Sequence, residues 1–120
     1  MTRNRRLPGK ITEADVKDQI RGVLKRIPGL WYYNAWQGPM SKKGIPDIMG
    51  CYRGRLFGIE VKGPGGTVSK EQAERIAEIR DAGGIAIVAR SAEEVVEALG
   101  LQVDLWPLGY RKGITDHAPE

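Results

Sequence analysis

PDIMGCYRGRLFGIEVK, residues 46–62, holds two short apolar runs on either side of Arg53-Gly54. Apolar runs bounded by turn residues read as strands, and a two-residue break between them reads as a hairpin turn. The spacing predicts strands over 47–52 and 55–62. If Arg53 and Gly54 form the turn, Tyr52 faces Arg55. Counting back from that pair puts Asp47 directly opposite Glu60, with Cβ atoms about 5 Å apart. Lys62 lies two residues beyond Glu60 and therefore points to the same face.

Two carboxylates placed opposite one another repel. Stability alone gives no reason for the pairing, whereas a cation between the two explains it. Oxygen ligands without Cys or nearby His suit Mg²⁺ or Mn²⁺ rather than zinc. The Val61 carbonyl, directed away from its own side chain, is a candidate further ligand. Such an ion can activate a water and stabilise charge on phosphorus oxygens, with Lys62 holding the water or neutralising the transition state. The alternative is structural: Glu-x-Lys is common on exposed strand faces, and Asp after Pro is ordinary turn chemistry. The opposed charges and apolar flanks favour the catalytic reading.

The rest of the chain supplies elements around this hairpin. Thr12 reads as an N-cap, and Val16, Ile20, Val23, Leu24 and Ile27 recur at helical spacing before Pro28-Gly29, giving a helix over 12–27. Leu30 to Trp36 is aromatic-rich and reads as a strand. Its four rings suit core or dimer packing better than base stacking. Residues 37–46 form a loop rich in Gly and Pro. Ser69 and Gln72 form a capping box that starts a helix to Ala82. Residues 85–89 form a buried strand. Ser91 and Glu94 form a second capping box for a helix to Leu99, closed by Gly100. The order is α-β-β-β-α-β-α, an α/β fold with a mixed sheet flanked by helices. Its last strand runs parallel to the strand before the preceding helix.

Composition sets limits. A chain of 120 residues is one domain. We divide it into a flexible basic arm over 1–10, a folded domain over 11–100 and a tail over 101–120. The net charge of +4 permits a nucleic-acid partner without requiring one. One cysteine, Cys51, excludes an internal disulfide and a Cys-based zinc site; in a strand it reads as a buried, inert thiol. The single histidine, His117, lies in a polar tail, so Ser-His and Cys-His mechanisms have little support. Nothing resembles a signal peptide or membrane span, and the expected location is the cytosol.

Gly44-Ile45-Pro46-Asp47-Ile48, Ile59-Glu60-Val61-Lys62 and Ser69-Lys70-Glu71-Gln72 together resemble the PD-(D/E)XK nuclease superfamily. More narrowly, they resemble its small VRR-NUC domains. The likeness runs from about Ile11 to Leu99 and implies a restriction-endonuclease-like core. It also implies roles: Asp47 and Glu60 as metal-binding acids, Lys62 as the motif lysine, Gln72 beside the site and Glu13 completing the metal cluster. Glu13 and Gln72 also have plain explanations, in helix-dipole charge and capping. The family often has a tyrosine four residues after the glutamine; Ile76 stands there instead.

The expected activity is a Mg²⁺- or Mn²⁺-dependent DNA endonuclease that leaves a 5′-phosphate and a 3′-hydroxyl. By resemblance it acts as a homodimer on Holliday junctions or other branched DNA. Lys42, Lys43 and Lys70 are the expected phosphate contacts. No organic cofactor and no membrane partner are expected. The alternative is a noncatalytic nucleic-acid-binding module on the same fold.

Overall fold

A computed structural model describes residues 10–102. Most of the predicted arm, most of the tail and His117 lie outside them. The elements are α1 (Glu13–Leu24), β1 (Leu30–Asn34), β2 (Ile48–Tyr52), β3 (Arg55–Val61), α2 (Lys70–Asp81), β4 (Ile85–Ala89) and α3 (Ala92–Leu99), in the predicted order.

The hairpin forms in the predicted register. Arg53 and Gly54 have φ of 54° and 79°, the two positive values that a two-residue turn needs to match the twist of its strands. Pairing runs from Tyr52↔Arg55 to Ile48↔Ile59. The sheet order is β1-β2-β3-β4, with β1 antiparallel to β2 and β4 parallel to β3. A right-handed crossover through α2 is the usual way to make such a parallel pair.

Three of the helix starts follow from local chemistry. Thr12 and Asp15 form a reciprocal capping box at α1, and Ser69 and Gln72 form one at α2. At α3 only half of the predicted box forms. Ser91 Oγ accepts from Glu94 N, but the Glu94 carboxylate turns back to accept from Arg90 N. The α1 helix ends three residues earlier than predicted, and the chain turns before Pro28.

On one face of the sheet, Phe57, Ile59 and Val61 pack with Val16, Ile20, Val23 and Leu24 of α1 and Val95, Val96 and Leu99 of α3. Each fully buried apolar side chain of this kind contributes about 1.5–3 kcal/mol. On the other face α2 lies over β3 and β4. Gly58 permits its close approach: a Cβ there would stand 3.2 Å from Ile79 Cδ1 and 3.0 Å from Pro46 Cγ. The central strand β3 is therefore covered on both faces over residues 57–61. That double cover buries Glu60.

The α2 helix leaves β1 and β2 uncovered on its side. Trp31 and Tyr33 are exposed there and contact each other, with ring centroids 5.4 Å apart. Cys51, opposite Trp31, is exposed rather than buried as expected from its place in a strand. Strand propensity does not report which face a helix will cover. The same fact corrects the core reading of the aromatic strand, in which Tyr32 alone of the four rings packs against the core. Among the described residues, no helix is long and apolar enough to cross a membrane.

Candidate metal and phosphodiester site

The site forms where the sheet splits. The Asp47 carbonyl still accepts from Ala35 N at 2.8 Å, continuing the β1–β2 ladder past its last pair. On the other side the Asp47 carboxylate replaces the ladder: Oδ2 accepts from Val61 N at 2.8 Å. The backbone of β3 stays with β4, where Lys62 N donates to Ala89 O at 3.0 Å. Asp47 is thus fixed at backbone and side chain, one residue past the last ladder pair, with its charge beside the Glu60 carboxyl.

Glu60 is 3 % exposed, so the open possibility of a solvated polar strand face is excluded. Its Oε2 accepts from Gln72 Nε2 at 2.9 Å and lies 3.4 Å from Lys62 Nζ. Its Oε1 is buried with no hydrogen-bond partner. A buried acceptor left unpaired costs about 1–3 kcal/mol. Burial, then the charge of Asp47, pushes the Glu60 carboxyl up to about 7, against a smaller pull downward from Lys62.

Gln72 fulfils both of its sequence readings at once. Its amide oxygen accepts from Ser69 N at 2.9 Å to close the capping box, and its amide nitrogen holds Glu60. The helix start therefore fixes the position of a carboxylate on a different element. Ile76, one turn after Gln72 on α2, is buried.

Glu13 is brought close but not into contact with the pair. Gly63 follows Lys62 immediately, and a Cβ there would stand 2.7 Å from Glu13 N, so the first turn of α1 abuts the end of β3. The Glu13 carboxylate reaches the site through Lys17, whose Nζ lies 4.0 Å from Glu13 Oε2 and 3.8 Å from Asp47 Oδ1. Among the described residues, no three Asp, Glu, His or Cys side chains are grouped to hold a metal. Lys17 escaped the sequence reading, although its i,i+4 spacing from Glu13 was a usable signal.

Lys42 and Lys43 line a cavity of about 330 Å³ between the 37–44 loop and the first turn of α2. Lys70 is exposed on that turn. The loop is tied down by Gln37 Nε2 donating to Ile45 O and by Arg75 donating to Lys43 O. Gly44, at φ 84°, lies so close to α2 that a Cβ would be 2.3 Å from the Glu71 carbonyl oxygen.

The donors are of the hard-oxygen kind that divalent ions take: two carboxylates that repel, one of them with an unpartnered oxygen, flanked by the ammonium groups of Lys17 and Lys62. The family model of the VRR-NUC domain matches residues 5–93, a span that contains all of these groups. None of the curated proteins matches the chain.

Proposed function

The chain belongs to the VRR-NUC domain family, a nuclease-type domain, and from that premise we propose that it is a Mg²⁺- or Mn²⁺-dependent DNA endonuclease. The observation that carries this reading is the buried Glu60 carboxylate, with one unpartnered oxygen, set beside the carboxylate of half-buried Asp47. Asp47 and Glu60 hold the ion in this reading, with the Val61 carbonyl and Glu13 as further oxygen donors. Once bound, the ion supplies Lewis-acid polarisation of a phosphoryl oxygen and a lowered pKa for water.

The protein's own groups do the positioning. Gln72 and Lys62 fix the orientation of Glu60, so one oxygen is committed to them and the other would be left to hold the ion. The Val61 amide performs the same task for Asp47. Lys62 is half-buried beside Glu60, and its ammonium stabilises negative charge developing on the phosphoryl oxygens or orients the attacking water. Lys42, Lys43 and Lys70 bind the phosphate backbone. Phosphate contacts carry no sequence information, so the preference is for DNA shape. Branched DNA and a homodimer, each subunit cutting one strand, complete the proposal.

The test is cleavage of labelled four-way junctions, flaps and linear duplex with Mg²⁺, Mn²⁺ or EDTA. Metal-dependent cutting is expected, strongest on a branched substrate. An absence of metal-dependent product on every substrate would end the enzymatic reading.

Lys17 yields a separate expectation. Its ammonium and a bound cation are like charges sharing Asp47. Such a neighbour costs the ion on the order of 1–3 kcal/mol at a partly screened site. Lys17→Met is expected to tighten Mn²⁺ binding about tenfold, read by calorimetry at fixed pH.

A further inference from the structure

Trp36 is 62 % exposed, yet its ring has a built seat. The six-membered edge of the indole lies against Gly38, where a Cβ would stand 1.7 Å from the ring. Only a glycine lets the ring lie there. Gly38 also lines the cavity that Lys42 and Lys43 share with Gln72. Two connections join this region to the scissile centre. Ala35, the residue before Trp36, donates its N–H to the Asp47 carbonyl. Gln72, in the cavity wall, holds Glu60.

The region thus combines an exposed aromatic ring with two exposed lysines beside a polar cavity, next to the candidate catalytic carboxylates. A nucleotide combines the matching parts, a flat aromatic base and an anionic phosphate. A second copy of this chain would bring its own positive charge to the lysines. Glu71 also lines the cavity, and a carboxylate repels phosphate, which leaves the lysine side for an anion. Bases in continuous duplex are stacked on their neighbours and offer the ring no face. We propose that Trp36 and this cavity form a subsite for an unpaired nucleotide flanking the cleaved phosphodiester, with the base on the indole and the phosphate against Lys42 and Lys43. This rests on the nuclease reading and sharpens it, because it selects DNA that exposes unpaired nucleotides at the cut.

The test is fluorescence anisotropy in EDTA, where binding is read without cutting, using an oligothymidine flap on a labelled duplex and the same duplex blunt-ended. Base–aromatic stacking predicts that Trp36→Ala weakens flap binding about 10- to 100-fold and leaves the blunt duplex unchanged. Trp36→Phe retains most of the affinity. Gly38→Ala, which displaces the ring without removing it, reproduces part of the loss. Flap binding by Trp36→Ala at wild-type strength, or an equal loss on blunt duplex, would overturn the subsite and leave the nuclease reading standing. A wild-type chain that neither binds nor cuts any DNA would remove both.

Discussion

Asp47→Asn is expected to fold as the wild type does and to cut DNA about a thousandfold more slowly. The two halves of that result have separate causes. Asp47 Oδ2 accepts the Val61 amide at the point where β2 and β3 part. An asparagine carbonyl oxygen can accept the same bond, so the split in the sheet survives. The substitution removes a negative charge beside Glu60, which favours the folded metal-free chain. It also removes one of the two central carboxylate charges that would hold a divalent ion. Asp47→Ala is the less informative variant, because it leaves the Val61 amide without its partner and mixes a stability defect with a catalytic one. DNA binding in EDTA should persist in Asp47→Asn. If this protein cuts at the wild-type rate, Asp47 is not part of the site.

The metal-free chain is expected to be less stable at pH 8 than at pH 5, and Glu60→Gln to remove most of that difference. Glu60 titrates at about 7 in the folded chain, above its ordinary 4.5, because burial and Asp47 disfavour its charge. A raised carboxyl contributes stability that is fully present below the unfolded value and lost as pH rises through the folded one. The difference between the two pH values is worth about 2.5 kcal/mol, or about 10 °C in the unfolding midpoint of a domain of this size. A glutamine keeps an acceptor for Gln72 Nε2 and cannot ionise, so its midpoint should change much less between the two pH values. Mn²⁺ should restore the wild type at pH 8 and leave the glutamine variant unmoved. Thermal melts at both pH values, with and without the ion, measure all of this. A wild-type midpoint that rises from pH 5 to pH 8 without metal would contradict the assigned environment of Glu60.

The hairpin was readable because its information is local. Arg53-Gly54 sets a two-residue turn, the turn sets the register, and the two-residue side-chain period then puts Asp47 and Glu60 together. The caps at Thr12 and Ser69 were readable for the same reason. Burial was not. Glu60 is enclosed because β4 arrives from far along the chain and α2 closes the second face. Nothing in Glu-Val-Lys records that event. Cys51, Trp31 and Tyr33 show the converse: their strands look like core, but α2 stops short of them. Gln72 showed two competing sequence readings, and one amide proved able to satisfy both through its two ends. Lys17 went unnoticed because its contact with Asp47 joins elements that only the fold brings together.

The most direct test of the site as a metal centre does not depend on finding the right DNA. Mn²⁺ is titrated calorimetrically into the wild type, Asp47→Asn and Glu60→Gln at pH 6, in two buffers of different ionisation enthalpy. The wild type should bind Mn²⁺ and release close to one proton, because Glu60 must ionise to serve as a ligand. Both variants should lose most of that affinity, and Glu60→Gln should also lose the proton release. Equal Mn²⁺ binding by all three proteins, or wild-type binding with no proton released, would contradict the account.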